Sequence, residues 1–292
     1  MARVGSCRFL GSRNSRDWRP RNMSLPAMPH DALFRALVSN PKRAAALLDD
    51  YLPPKVASLV DRGHPPVQLE GSFIDEEAAR TQCDALFELR LKIGDPVRIY
   101  VLLGHKSRPD AATPLQLAGY MLRIWRKELE DTGASGSGCL TPILPIVFRH
   151  GPGNWTAPLS LAEMIATPEG LEEMVRGFGY TLHELGDIEP RELSREPDLL
   201  AGLLALAFVH VGALTKERLD LITAGLLDGS DLTPHLSRYA SDHYRITPQA
   251  MTASLRRTQP DNWETIMGTL SEALAEQGRI KGIAEGKAAG IA

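Results

Sequence analysis

The stretch CDALFELRLKIGDPVRIYVLLGHKSRPD, Cys83 to Asp110, contains two apolar segments separated by the turn residues Gly94-Asp95-Pro96. The first segment alternates apolar and polar residues, which is the pattern of a half-buried β-strand. The second, VRIYVLLG, is almost continuously apolar, as expected of a central strand covered on both faces. The two segments therefore predict a β-hairpin.

The segments around this hairpin predict an α/β fold. On its N-terminal side, HDALFRALVSNPKRAAALLDDYLP reads as two helices broken at Asn40-Pro41, and VQLEGSFID as a short extended segment. On its C-terminal side, Thr113 to Asp131 is an amphipathic helix. Its predicted apolar residues are Leu115, Ala118, Met121, Leu122 and Trp125. PILPIVFRHG and YTLHELGDI predict two further strands, and only helices are expected from Glu192 onward, so the chain reads as a layered α/β protein followed by helices.

Composition limits the possible classes of protein. A chain of 292 residues can bury a full core, and its net charge of -3 gives no overall attraction to nucleic acid, so DNA binding would need a local basic patch. The three scattered cysteines form no C-x-x-C pair, which argues against a disulfide framework and predicts a cytoplasmic location. The apolar run Leu199 to Leu214 contains His210 and is shorter than the ~20 residues of a spanning helix, so it predicts a buried helix and no membrane partner.

The chain divides into four predicted regions: a disordered basic segment (1–27), an α/β domain (28–190), a helical region (191–277) and a glycine-periodic tail (278–292). The basic segment is open to several interpretations: a transit-like leader, an arm on DNA, a disordered tail, or residues before a true start at Met23 or Met28. In the tail, glycine recurs every four residues from Gly278 to Gly290. This spacing predicts either a stripe for contact between helices, and hence a homo-oligomer, or a frayed end.

A candidate site follows from the hairpin. If it turns at about Gly94, Asp84 lies across the ladder from positions 104 to 106, and Lys106 lies just past the second strand. Mg²⁺-dependent phosphodiester hydrolysis needs acidic oxygens to hold the ion and a cation near the scissile phosphate. Asp84 and Lys106 are therefore either one catalytic site or two polar residues that meet by chance at neighbouring strand ends.

Six ordered segments carry a resemblance to a known family: HDALFRALVSNP, LLDDYLPP, GSFIDEE, the hairpin stretch quoted above, PLQLAGYMLRIWRKEL and PILPIVFRHGPGNW. Together they resemble the Rpn family of recombination-promoting nucleases, also labelled putative transposases, within the PD-(D/E)XK superfamily, from about Pro29 to Gln277. The resemblance implies a restriction-endonuclease-like mixed sheet flanked by helices, and DNA as the partner. It also implies metal-dependent DNA cleavage connected with recombination, with Mg²⁺, or else Mn²⁺ or Ca²⁺, as cofactor.

The resemblance also assigns roles to individual residues. Asp84 matches the strand aspartate that is the first metal ligand, and Lys106 matches the lysine of the second half-motif. His105 matches the middle position, whose backbone carbonyl can also coordinate the metal. Gly104 stands where the family usually has an acid. The resemblance therefore predicts a metal site with one carboxylate missing.

The helix after the half-motif carries Gln116 and Tyr120 one turn apart, in a Q-x-x-x-Y pattern. In similar nucleases such a pair supports the site or contacts substrate; otherwise it is a polar residue beside a core aromatic. The same helix carries three basic residues, which either meet phosphates or form a solvated face. These residues are Arg123, Arg126 and Lys127.

Other acids could replace the missing carboxylate, although each is also explained as a solvated group or a helix cap. They are Asp31, Asp75, Glu76, Glu77 and Glu88. His30 and His150 match family positions, in HD and RHG. We expect both to be packing or hydrogen-bonding residues because no second His or Cys lies at ligand spacing in the sequence.

The leading interpretation is a cytoplasmic Mg²⁺-dependent DNA endonuclease in which Asp84 holds the metal, Lys106 orients water or stabilises phosphate charge, and Gln116 and Tyr120 support the site. A second interpretation is a catalytically weakened or inactive protein of the same fold that acts by DNA binding or assembly. A third is a helical interaction module in which the tail is the functional part. Gly104 is the residue that separates the first interpretation from the second.

Overall fold

The computed structural model describes residues 29–69, 85–92, 98–106, 108–132, 140–173, 177–210, 214–244 and 246–289. Several predictions concern residues outside these ranges: the basic segment 1–27, Asp84, the acids at positions 75 to 77, and Gly290. The boundary between the α/β domain and the helical region at residue 190 stays a prediction.

Two short helices open the described chain. Helix α1 is Pro29–Ser39 and helix α2 is Pro41–Tyr51. Asn40 caps α2, because its side-chain oxygen accepts hydrogen bonds from the backbone N–H groups of Lys42 and Arg43, and Pro41 fits the first helical position. The predicted break at Asn40-Pro41 is confirmed. A single helical turn, α3 (Pro54–Ala57), follows.

Five strands form one mixed sheet in the described part of the chain. They are β1 (Val67–Gln68), β2 (Ala85–Arg90), β3 (Arg98–Lys106), β4 (Ile143–Arg149) and β5 (Thr181–Glu184). The sheet order is β1-β2-β3-β4-β5; β1, β2 and β3 pair antiparallel, whereas β3, β4 and β5 pair parallel. The predicted hairpin, the central position of β3 and the mixed α/β sheet are confirmed.

Helix α4 (Thr113–Thr132) connects β3 to the parallel strand β4. The helix is confirmed, but part of its predicted apolar face is wrong, because Leu115 and Leu122 are each 57% exposed. The side chains that pack inward are Leu117, Ala118, Met121 and Ile124.

Apolar side chains cover the sheet on both faces. On one face, Leu86 of β2 and Val147 of β4 pack with Leu117 and Ile124 of α4. Strand residues of the opposite parity, such as Phe87 and Phe148, belong to the larger core with α1 and α2. Alternation along each strand therefore places α4 and the first helices on opposite sides of the sheet.

The C-terminal region is helical, as predicted. It contains α5 (Pro197–Phe208), α6 (Lys216–Ala224), α7 (Thr233–Tyr244), α8 (Pro248–Thr258) and α9 (Trp263–Ala289). Helix α5 is the predicted buried helix and approaches α1 closely: a Cβ added at Gly202 would lie 2.3 Å from Leu37 Cδ2. No described helix combines the length and the apolarity that a membrane crossing would need.

A buried arginine joins three helices. Arg43 of α2 is 2% exposed, and its Nη1 donates to Asp198 of α5 and to Asp231, which precedes α7, at 2.7 Å each. Its other donors reach the C-terminal end of α1: Nε is 3.1 Å from the Leu37 carbonyl oxygen and Nη2 is 2.7 Å from that of Ala36. The planar guanidinium thus satisfies helix-end carbonyls and two carboxylates at once.

Candidate functional site

The strand register supports the predicted proximity of Asp84 and Lys106. Ala85 pairs with Leu103 and Arg90 pairs with Arg98, so the ladder is symmetric about Gly94. This is the register that the turn residues predicted. Asp84 lies outside the described residues, so the position of its carboxylate stays a prediction.

Lys106 is the last residue of β3, and its side chain lies on the α4 side of the sheet. The residue is 8% exposed, and its Nζ donates to Gln116 Oε1 at 3.0 Å. Asp110 Oδ2 lies 3.9 Å from the same Nζ. A buried ammonium needs such partners because loss of hydration strongly disfavours its charge. The structure therefore brings together two of the predicted site residues, Lys106 and Gln116.

Gln116 links Lys106 to Asp110. Its Oε1 faces the ammonium, while its Nε2 donates to Asp110 Oδ2 at 2.9 Å, so each end of the amide meets the complementary group. The other oxygen of Asp110 accepts from the Ala112 backbone N–H at 2.9 Å, at the start of α4. The start of α4 and the Asp110 carboxylate just before it thus fix the orientation of the amide that holds the lysine.

Asp110 is a site residue that the sequence interpretation missed. Among the predicted replacement acids, Asp31 lies on α1 and Glu88 on β2, whereas Asp110 ends the stretch Cys83 to Asp110. The available signal was its position four residues after Lys106 and just before an amphipathic helix, where a carboxylate can reach both the backbone at the helix start and the strand end.

The other predicted groups are less closely connected to Lys106. Tyr120 is half-buried and packs against the cluster of Leu86 and Val147, with the Arg123 guanidinium 5.8 Å from its ring centre. Arg123 and Arg126 are exposed, whereas Lys127 forms an ion pair with Asp131 at 3.0 Å. Together they form a basic outer face on α4.

Two of the alternative acids and one predicted metal ligand lie on described backbone. Glu88 is a half-buried residue of β2 and pairs with Tyr100, and Asp31 lies in the first turn of α1. His105 pairs with Phe148 in the parallel ladder of β3 and β4. Ligation of a metal by any of them stays a prediction.

A second cation lies next to Lys106. Arg149, at the end of β4, is the ladder partner of Lys106 and is 3% exposed. It forms an ion pair with Glu184 of β5 and donates from Nη2 to the Pro152 carbonyl oxygen at 2.6 Å. The carboxyl ends of these parallel strands therefore collect two buried cations, each with a carboxylate beside it: Asp110 near Lys106 and Glu184 next to Arg149.

The family model described as "Putative transposase, YhgA-like" matches residues 28–231, which include the whole sheet and this strand end. The chain belongs to this family. No solved structure matches it.

Three curated relatives of this YhgA-like chain come from Escherichia coli. RpnD of strain O157:H7, a recombination-promoting nuclease, is 30% identical over 124 residues, which are 42% of this chain and 45% of that protein. RpnC of strain K12, of the same description, is 25% identical over 258 residues, or 86% of this chain and 82% of RpnC. YjiP of strain K12, described as a "putative inactive recombination-promoting nuclease-like protein", is 32% identical over 97 residues, or 33% of this chain and 91% of YjiP.

The prediction that Gly104 replaces an acid concerns the face of β3 that carries Lys106. Gly104 pairs with Val147 and lies on the same face of β3 as Lys106, since alternate strand residues share a face. Among the described residues at this end, the oxygens of Asp110 and Gln116 are of the type that Mg²⁺ prefers, and Mg²⁺ can be held by one or two carboxylates plus substrate phosphate oxygens. These oxygens already accept hydrogen bonds from Lys106, Gln116 and Ala112, so the predicted donors for Mg²⁺ at this strand end stay the Asp84 carboxylate and the His105 backbone carbonyl, both of the oxygen type that Mg²⁺ prefers.

His30 and His150 lie next to each other and to a third histidine, His210. Their ring centres are 4.5 Å apart, and the ring of His210 lies 5.2 Å from that of His150 and 6.0 Å from that of His30. Their expected role as packing or hydrogen-bonding residues stays a prediction, although His30 does meet the Tyr239 hydroxyl group at 2.7 Å. Sequence spacing did not reveal His210 as their neighbour, because His210 comes from the turn after α5.

Proposed function

We propose that this YhgA-like family member is a Mg²⁺-dependent DNA endonuclease that promotes recombination. The observation that carries the proposal is the buried Lys106 at the end of β3, which Gln116 and Asp110 hold at the position where the resemblance places the catalytic lysine. A buried cation fixed by two polar partners is suited to stabilising charge that develops on a phosphate.

In this proposal, Asp84 and the backbone carbonyl of His105 hold Mg²⁺, and Mn²⁺ or Ca²⁺ are the alternative ions. Bound Mg²⁺ would polarise the scissile phosphate and lower the pKa of the attacking water. Lys106 donates a hydrogen bond to that water or to a non-bridging phosphate oxygen. Gln116 and Asp110 act as positioning residues, and Tyr120 supports the helix face that carries Gln116.

A nicking assay on supercoiled plasmid with the full chain tests the proposal. We expect nicking with Mg²⁺ or Mn²⁺ that is lost on chelation and in both Asp84→Ala and Lys106→Met. Lys55→Met is the matched control, because Lys55 is an exposed lysine of α3, and this variant should cut at the parental rate. Metal-dependent nicking that persists unchanged in both site variants would show that the activity comes from elsewhere.

A second candidate function is DNA binding without cleavage. Gly104, which supplies no carboxylate, favours it, as does the similarity to YjiP, whose name describes that protein as inactive. In this case the chain shifts DNA in a gel at low salt, and no metal produces nicks. The exposed Arg123 and Arg126 of α4 would then carry phosphate contacts, and replacing either one should weaken binding and reduce its salt dependence.

The proposal also includes where the protein acts and in which form. The three scattered cysteines fit a reducing compartment, so we place the activity in the cytoplasm. We further propose that α9 mediates formation of a homo-oligomer: Gly278 and Gly282 lie within it, and a Cβ added at either position would have no neighbour within 4 Å. A partner helix could therefore approach the backbone at these positions.

A further inference from the structure

Four histidines and one tyrosine converge on the side of the sheet opposite Lys106. His30 lies in the first turn of α1, His150 directly follows β4, His210 lies in the turn after α5, and Tyr239 and His243 belong to α7. We call this group the histidine cluster. Its members come from four separate parts of the chain.

The geometry of the cluster is that of a ligand set. His30, His150 and His210 each offer one ring nitrogen, and these nitrogens lie within 4.8 Å of one another. Three nitrogens bound tetrahedrally to one Zn²⁺ at about 2.0–2.1 Å are roughly 3.3 Å apart. Each imidazole would therefore have to move inward by less than about 1 Å, which small side-chain rotations can supply.

Tyr239 supplies a second interaction typical of a metal site. Its hydroxyl group lies 2.7 Å from His30 Nδ1, and the residue is 1% exposed. In the tautomer in which Nδ1–H donates to the hydroxyl oxygen, Nε2 carries the lone pair that can bind a metal ion. Such outer hydrogen bonds fix the tautomer and orientation of metal-binding histidines.

The histidine cluster is open to solvent on one side, and it contains a fourth histidine ring, that of His243. His150 is 3% exposed, whereas His210 is exposed and opens one side to solvent. The His243 ring stacks on that of His30 with centres 4.5 Å apart. Its Nε2 is buried with no hydrogen-bond partner in the described part of the chain, so a further donor is available at the inner wall.

We propose that the histidine cluster binds one Zn²⁺ through His30, His150 and His210, and that the ion ties α1, β4 and the end of α5 together. Imidazole nitrogens suit Zn²⁺ and other borderline transition metals, whereas Mg²⁺ requires oxygen ligands, so this site differs in chemistry from the proposed nuclease site. The two sites are nevertheless close, because the His150 backbone N–H donates to the Lys106 carbonyl oxygen at 3.2 Å. The Zn²⁺ proposal does not depend on the proposed nuclease activity.

The test is a Zn²⁺ titration of the full chain after removal of metals by a chelator, with a competing chromophoric chelator as the readout. We expect one Zn²⁺ per chain, no competition by millimolar Mg²⁺, and a rise in melting temperature with added Zn²⁺. Substituting Co²⁺ should give the intense visible absorption of a four-coordinate site with three histidine ligands. Absence of tight binding by the parental protein would overturn the proposal.

Variants identify the ligands. His210→Gln changes an exposed residue, so the fold should persist by circular dichroism while Zn²⁺ affinity falls by more than about 100-fold, beyond the ~10–100-fold expected for an outer partner. The loss of Zn²⁺ affinity in Tyr239→Phe should be the ~10–100-fold expected for an outer partner. His64→Gln is the control, since His64 is exposed and interacts with Asp61 and Arg90 outside the cluster. The Zn²⁺ affinity of this variant should equal that of the parental chain. Equal Zn²⁺ affinity in His210→Gln and the parental chain would refute the assignment.

Asp84→Ala separates this proposal from the nuclease proposal. Its Zn²⁺ affinity should equal that of the parental chain, whether or not the chain cuts DNA. Parental Zn²⁺ binding that disappears in Asp84→Ala would instead place the ion at the strand-end site and contradict the histidine assignment.

Discussion

Replacing Arg43 by methionine should destabilise the protein strongly. The guanidinium is 2% exposed and serves four acceptors: Asp198, Asp231 and the carbonyl oxygens of Ala36 and Leu37. Methionine keeps much of the apolar stem but removes every donor. The change therefore tests the polar interactions of the residue more than its packing.

The size of the effect follows mainly from the carboxylate left behind. Asp198 is 5% exposed, and in the variant it would keep the hydrogen bond from Ser230 Oγ at 2.8 Å but lose its cation. Breaking one side of a buried pair costs about 3–5 kcal/mol. At about 2 °C per kcal/mol, the expected fall in melting temperature is about 6–10 °C.

Thermal and urea unfolding of the parental chain, Arg43→Met, Asp198→Asn and the double variant form the assay. Removing both partners should cost clearly less than the sum of the two single changes, because the double variant contains no unpaired buried charge. Arg43→Lys should be intermediate, since an ammonium lacks the planar fork. A fall of less than about 2 °C in Arg43→Met, or additive single effects, would refute the reasoning.

The interaction of Arg43 with Asp231 also makes the stability of the protein depend on pH. The hydrogen bond from Arg43 is the main reason that the pKa of Asp231 lies below its ordinary value. A carboxylate whose pKa is lowered by folding stabilises the protein above its unfolded pKa of about 3.9, and this contribution is lost as the pH falls further. The difference in urea midpoint between the parental chain and Arg43→Met should therefore shrink below about pH 4. A difference that stays constant down to pH 3 would contradict this coupling.

Three further predictions concern the proposed activity and assembly. Gln116→Leu removes the acceptor of Lys106, a hydrogen bond to a charged group worth about 1.5–3 kcal/mol, so nicking should slow by about 10- to 150-fold; an unchanged rate would exclude a positioning role. Gly104→Glu should raise cutting most at low Mg²⁺, and this gain should vanish with Asp84→Ala; a variant of unchanged stability that neither binds metal more tightly nor cuts faster would show that position 104 is not a vacated ligand site. Deleting Gly278–Ala292 should lower the oligomeric mass in light scattering while any nicking chemistry remains; an unchanged mass would exclude the tail as the contact.

Local sequence patterns determined the elements of this fold. Period-two alternation predicted β2, a continuous apolar run predicted the central strand β3, and the turn at Gly94-Asp95-Pro96 set a register that the ladder confirms. Asn40-Pro41 predicted the boundary between α1 and α2, because a capping side chain and a proline act on their immediate neighbours. Each of these signals depends on interactions within a few residues, which a sequence displays directly.

Tertiary packing decided which side of α4 is buried. In α4, leucines occur around more than one face, and contact with Leu86 and Val147 selected Leu117 and Ile124 rather than Leu115 and Leu122. Helical periodicity gave the existence of the helix, but the buried side depends on which sheet residues the helix meets.

The polar clusters show the same division between local and distant information. The sequence predicted that Lys106 and Gln116 lie near each other, because a strand end and the next helix are close in the chain. It did not reveal that Asp110 accepts a hydrogen bond from the Gln116 amide. His30, His150 and His210 meet from positions more than fifty residues apart. Only the folded chain brings such side chains together, because their proximity is set by the packing of α1, β4 and α5 around one core and by no local preference of the residues themselves.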